Sequence, residues 1–173
     1  KTIGGTPFTP EDTKSLLKEQ LGEKEFFHVD DEMVPTEMSL NQLIWLLTTN
    51  ISNYSVKDND KFVDLSQVKV PQTLLDAVCL MYESFTTSKV FFMKIQERFK
   101  VAFSEPNEFV KCESILRTFK VFKTWINYQQ DTMDQQVREA VRLFNSNELN
   151  KYVPSYTRNT KSESRSNLNT LTQ

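Results

Sequence analysis

The stretch LMYESFTTSKVFFMKIQERF, Leu80 to Phe99, decides the fold. An apolar-periodic segment ends at Phe85, two threonines follow, and a second such segment begins at once. Apolar positions recurring at three and four residues mark one helix face. Leu74, Leu75, Val78, Cys79, Met81, Tyr82 and Phe85 therefore define one helix after Pro71, and Val90, Phe91, Phe92, Ile95 and Phe99 define the next. Thr87 is the expected N-cap of the second, because its hydroxyl can accept from a first-turn N–H that lacks an intrahelical partner. So short a connection predicts that Leu74 to Phe85 and Val90 to Phe99 fold back on each other as an antiparallel hairpin hinged at Thr86 and Thr87.

Helical periodicity extends in both directions from this point. Upstream, TPEDTKSLLKEQLG (Thr9 to Gly22) has a capping Thr9, Pro10 at the first helical position, acids in the first turn and Gly22 to stop it. FFHVDDEMVP reads as extended chain around a turn, with Phe26, Phe27, Val29, Met33 and Val34 as apolar anchors. Ser39 and Gln42 match a capping box ahead of a helix striped by Leu40, Leu43, Ile44 and Leu47. From Asn50 to Val70 the pattern lapses into a polar run, read as a surface loop or an insertion. Downstream, Ile115, Leu116, Phe119, Phe122, Trp125 and Ile126 mark a long helix. Asp131 is the expected cap of a last one, on which Met133, Val137, Ala140, Val141 and Phe144 align.

These elements predict an all-α fold, an irregular bundle of about five to six helices around a central antiparallel helical hairpin, with a small β-hairpin near residues 26–35. The expected organisation is an N-terminal capped helix and lead-in over 1–24, a helical domain over 25–153 carrying a polar loop insertion at 51–70, and a flexible tail or interdomain linker over 154–173. That tail is serine-, threonine- and asparagine-rich and has too little apolar surface to offset an ordering entropy of about 1–2 kcal/mol per residue.

Composition excludes several classes of function. The 173 residues carry a formal net charge of -2 with lysines and arginines scattered, which argues against a nucleic-acid partner. The longest apolar runs, such as Leu43 to Leu47, fall far short of a membrane span, and no signal-peptide pattern opens the chain. The expected location is cytoplasmic, with any membrane recruitment supplied by other parts of a parent protein. The chain starts at Lys1, which reads as a piece of something longer. Cys79 and Cys112 have neither CxxC spacing nor a disulfide framework and are expected to be reduced thiols among apolar neighbours.

No catalytic, cofactor-binding or metal-ligating constellation emerges. His28 is the single histidine, so a His-dependent triad or multi-histidine metal site cannot form within one chain. Glu25 and His28 have the Glu-x-x-His spacing of di-iron bundles but no second copy. Gly4, Gly5 and Gly22 form neither phosphate-cradling pattern. Asp58 and Asp60 lack the glycine and closing acid of a calcium loop, and Asp30 and Asp31 read as solvated turn carboxylates. The formal glycosylation sequons at Asn50 and Asn53 are at chance frequency for so Asn- and Ser-rich a chain.

The positive signal is the order of three motifs: MSLNQLIWLLTTN (Met38 to Asn50), TLLDAVCLMYESFTTSKVFFMKIQERF (Thr73 to Phe99) and ILRTFKVFKTWINYQQD (Ile115 to Asp131). Together they resemble the Ras exchanger motif, the helical N-terminal domain of Ras-family guanine nucleotide exchange factors. Leu40, Leu43 and Thr48 match its first helix; Tyr82, Ser84, Phe85, Thr86, Thr87, Arg98 and Phe99 match its helical pair; Trp125 and Ile126 match its third helix. The polar run before Val70 is longer than the family's usual acidic turn, Glu83 stands where a basic residue is common, and Lys89 stands where a proline often opens the helix.

The resemblance implies a non-catalytic domain without cofactor, whose partner is the catalytic exchange domain of the same parent chain. In the Son-of-sevenless type it also implies a second contact, with a Ras-family GTPase. The alternative is a stand-alone helical module that binds a small GTPase or a partner helix. Val90, Phe91, Phe92 and Met93 are consecutive and point about 100° apart, so one narrow buried face does not absorb all four. They are the expected interdomain contact, although core packing accounts for the phenylalanines equally well.

Overall fold

The computed structural model describes residues 28–53, 55–58, 61–129 and 131–152. The helix expected at Thr9 to Gly22 and the tail after Pro154 lie outside these. The chain divides into two compact units, Lys1–Asp134 and Gln135–Gln173, a boundary inside the single helical domain expected over 25–153.

The described part of the first unit contains β1 (His28–Val29), β2 (Pro35–Glu37), α1 (Leu40–Thr48), β3 (Ser55–Asp58), β4 (Lys61–Asp64), α2 (Leu74–Met81), α3 (Ser88–Phe103) and α4 (Glu108–Gln129). It is predominantly helical, as its periodicity predicts. The 22-residue α4 is the common support, with α1, α2 and α3 all packed on it. α3 runs antiparallel to α4: Phe91 and Phe92 meet Trp125, Phe92 and Phe99 meet Phe122, and Lys111 sits 5.0 Å over the Phe103 ring. The reversal between them is made by residues 104–107, where the Asn107 Oδ1 accepts from the N–H groups of Phe109 and Val110 to cap α4.

This places the central antiparallel hairpin at α3 and α4, and corrects the pairing expected at Thr86 and Thr87. α2 lies over the C-terminal turns of α4 rather than along α3: the Tyr128 hydroxyl donates to Asp76, Gln129 Nε2 donates to the Cys79 carbonyl, and Tyr82 packs edge-on against Trp125. The reason is local. Tyr82–Ser84 tightens into a 3-10 turn, and Thr87, with φ -116° and ψ 160°, is the extended step before α3 starts. The pair of threonines breaks the helix without turning it back. Thr87 does cap α3, its hydroxyl accepting from the Val90 N–H at 3.3 Å.

α1 begins with the capping box expected at Ser39. The Gln42 N–H reaches the Ser39 hydroxyl, and the Gln42 side chain accepts from the Ser39 N–H at 2.7 Å. Its burial is wider than the stripe Leu40, Leu43, Ile44, Leu47. Leu40, Asn41, Ile44, Trp45, Leu46 and Thr48 are buried, whereas Leu43 and Leu47 are only half-buried. α1 packs against both α3 and α4. Trp45 and Leu46 also form a second cluster with Ile51, Leu65 and Val68, which Val29, Met33, Met38 and Leu74 partly cover.

That cluster explains the polar run. Instead of a plain surface loop, the described residues between 51 and 67 form a 3-10 turn (Ile51–Asn53), the antiparallel pair β3 and β4 with Asp58 opposite Lys61, and a second 3-10 turn (Leu65–Gln67) capped by Asp64. Ile51, Leu65 and Val68 pin its two ends into the core. The β-hairpin expected near 26–35 is β1 and β2, with His28 opposite Glu37 and a bulge beside Val29. Its turn is held by Asp30, whose carboxylate accepts from the N–H groups of Glu32 and Val34. Met33 takes the left-handed conformation (φ 64°) that such a bulged turn demands.

The described part of the second unit contains α5 (Gln135–Leu143), a π-helical turn (Phe144–Glu148) and α6 (Leu149–Tyr152), with the Phe144 and Tyr152 rings in contact. α5 starts at Gln135 rather than at Asp131, because the N–H groups of Thr132 and Met133 fold back onto the Gln129 carbonyl as a separate turn.

Candidate functional site

The motif residues converge pairwise inside the first unit. Arg98, projecting from α3, donates from Nε to the Thr48 hydroxyl at 2.6 Å and from a terminal nitrogen to the Thr49 hydroxyl at 2.8 Å. Thr48 in turn donates to the Ile44 carbonyl at 2.7 Å. α1 has no basic residue in its last turn. Arg98 thus brings a cation to the negative end of the α1 dipole and satisfies its last hydroxyls.

The second convergence is aromatic. Trp125 is fully buried among Tyr82, Phe91 and Phe92, with ring centroids 5.4–6.0 Å apart in the Tyr82, Phe91 and Trp125 trio. The Tyr82 hydroxyl and the Ser88 hydroxyl are 2.7 Å apart, a bond that ties the first residue of the 3-10 turn to the start of α3. Burial raises the Tyr82 pKa, opposed by the Ser88 bond and reinforced by Glu83. The buried Trp125 N–H has no acceptor in hydrogen-bonding geometry.

Of the other motif residues, Leu40 and Phe99 are core, Leu43 and Ile126 are half-buried, and Thr86 is buried with no partner for its hydroxyl. Phe85 is exposed. The expected interdomain run is corrected: Phe91 and Phe92 are interior, Val90 is half-buried, and only Met93 reaches the surface. α3 is enclosed by α4 and α1 together, so its buried face is wide enough to take two adjacent phenylalanines. The same enclosure buries Lys94 completely, one turn before Arg98. A lysine in the middle of the run VFFMKI was the available signal for it. Gln129 and Ser88 also went unsingled by sequence reasoning, since single polar residues in helices carry no periodic mark.

Apart from Met93, the exposed large apolar side chains lie elsewhere than in this run. On α2 and its 3-10 extension, Leu80 is 57% exposed, Met81 61% and Phe85 37%. The thiols are not activated: burial pushes Cys79 up to about 12, with Asp76 adding to it, and burial followed by Glu108 raises Cys112. Among the described residues no His, Cys, Asp and Glu cluster is placed to hold a metal ion, and no helix is long and apolar enough to cross a membrane. The fold and these contacts define a helical domain organised on one long helix. No family model matches the chain, and neither curated proteins nor solved structures give a match.

Proposed function

We propose that this chain is the non-catalytic, Ras exchanger motif-like domain of a guanine nucleotide exchange factor, supporting a catalytic exchange domain of the same parent chain. The observation that carries this reading is the convergence of residues drawn from three separate motifs: Thr48 with Arg98, and Tyr82 with Trp125. Residues matched by sequence order alone have no reason to meet in pairs unless the motifs encode one packed unit. With Phe91 and Phe92 in the interior, the contact with the catalytic domain falls to Leu80, Met81 and Phe85. Three apolar side chains there are still 37–61% exposed, and covering what remains favours burial by roughly 0.5–2 kcal/mol each.

Release of a fluorescent nucleotide from a Ras-family GTPase tests this, measured for the chain alone, the exchange domain alone and the two joined. The expected result is no release by the chain alone, and a joined protein that is more active or more stable than the exchange domain. Met81→Asp in the joined protein is expected to remove that gain. Equal behaviour of the exchange domain with and without this chain would leave the stand-alone interaction module as the better reading.

A further inference from the structure

A second apolar surface runs along α4, on the side away from α2 and α3. Phe109 is 70% exposed and Leu116 58% exposed, and the half-buried Cys112, Phe119 and Ile126 continue the line. The positions 109, 112, 116, 119, 123 and 126 alternate steps of three and four, the a/d spacing of a coiled-coil seam, over about 26 Å of helix. Lys123 is the one charged position within it.

We propose that this seam pairs with the same seam of a second copy of the chain, as an antiparallel two-helix contact about a two-fold axis. The register is set by the sequence. Antiparallel packing with Leu116 opposite Phe119 of the second copy also sets Phe109 opposite Ile126 at both ends, and Cys112 opposite Lys123. The seam is thus complementary to itself, as a two-fold interface requires. Its rim is complementary in charge as well. Glu113 and Lys120 lie on the same side of the stripe, and in this register each Glu113 faces a Lys120 of the second copy, twice per dimer. Glu113 also pairs with Arg117 of its own helix at 3.2 Å, which leaves its carboxylate able to accept from a second cation. A parallel arrangement instead sets Lys123 against Lys123 of the second copy and puts the two Glu113 and Lys120 rims on opposite sides of the seam, where they do not meet. The seam is narrower than the roughly 800 Å² per partner of a standard interface, so the dimer is weak, with a dissociation constant on the order of 10–100 µM.

Sedimentation equilibrium on the full 173-residue chain from about 5 to 500 µM is the test. The expected result is a reversible monomer–dimer equilibrium that Leu116→Glu weakens at least ~10-fold. Glu113→Lys and Lys120→Glu are each expected to weaken it, and the double swap to restore it. Leu116 and Lys120 are exposed and Glu113 is half-buried, and circular dichroism of each variant separates loss of pairing from loss of fold. A chain that stays monomeric throughout overturns the proposal, as does a dimer indifferent to Leu116→Glu. Deleting residues 1–27 distinguishes another occupant: if Cys112 becomes more reactive in a monomeric deletion variant, the seam is covered from within the chain and the proposal fails. Rapid oxidation to a Cys112–Cys112 disulfide also overturns it, since the antiparallel register holds those residues about 16 Å apart along the helices.

Discussion

Arg98 and Thr48 are 50 residues apart in sequence and 2.6 Å apart in space, and their bond joins the middle of α3 to the end of α1. The Thr48 hydroxyl also donates to the Ile44 carbonyl, so losing Arg98 leaves that hydroxyl one bond, whereas losing Thr48 takes the acceptor from the buried Arg98 Nε. Arg98→Lys is expected to cost about 1–3 kcal/mol, since an ammonium cannot serve both threonines with the planar fork of a guanidinium. A double-mutant cycle with Thr48→Val and Arg98→Met, followed by urea unfolding, should return a coupling of at least ~0.5 kcal/mol. Additive losses would show that the two side chains are merely adjacent.

Trp125 touches Tyr82, Phe91 and Phe92 and has no exposed surface. Trp125→Ala is expected to destabilise the domain by about 3–5 kcal/mol, enough to unfold much of a marginally stable population at 25 °C. Thermal unfolding followed at 222 nm measures this; a loss under about 1 kcal/mol is incompatible with the aromatic cluster described.

Thr86 and Thr87 are neighbours with opposite expected responses. Thr87→Ala removes the cap of α3 and should cost about 1 kcal/mol, whereas Thr86→Val removes a buried hydroxyl that has no partner and should be neutral or stabilising. Chemical denaturation of the two variants side by side checks the pair, and a larger loss for Thr86→Val would contradict the geometry.

The cysteines give a pH dependence. Burial raises the Cys79 pKa from an ordinary 9.0 to about 12, so the folded state favours the neutral thiol. The stabilisation is fully present below pH 9.0 and is lost as pH rises towards about 12, because the unfolded chain ionises first. Cys79→Ser, compared with the native chain between pH 8 and 11, should flatten this alkaline loss. Iodoacetamide at pH 8 should label the half-buried Cys112 before Cys79.

Much of this architecture was legible in the sequence, for reasons that differ between elements. Ser39 and Thr87 declare themselves because capping is chemistry between residues three apart, and Trp125 sits in a periodic apolar stripe. The direction of α2 was not legible. A two-threonine break fixes where a helix ends, but whether the chain then reverses depends on contacts with α4, 50 residues away. The polar run hid its core residues for a related reason: Ile51, Leu65 and Val68 are separated by a hairpin and share no period. At the candidate surface, Leu80 and Met81 belonged to an apolar segment whose exposed side is decided only by packing, while the Val90 to Met93 run lost Phe91 and Phe92 to a buried face wider than a single helix contact allows.

The support of three helices by α4 has a kinetic consequence. α3 and α4 are joined only by residues 104–107, so their pairing closes a short loop and is rapid, whereas α1 must be recruited from far upstream. The α3–α4 pair is therefore the expected nucleus, and the bond between Thr48 and Arg98 is expected to form after the barrier has been crossed. Weakening that bond with Thr48→Val is expected to leave the folding rate nearly unchanged and to speed unfolding, as stopped-flow folding and unfolding rates would measure. The clasp between α1 and α3 is thus a latch, which sets how long the assembled domain persists rather than how quickly it forms.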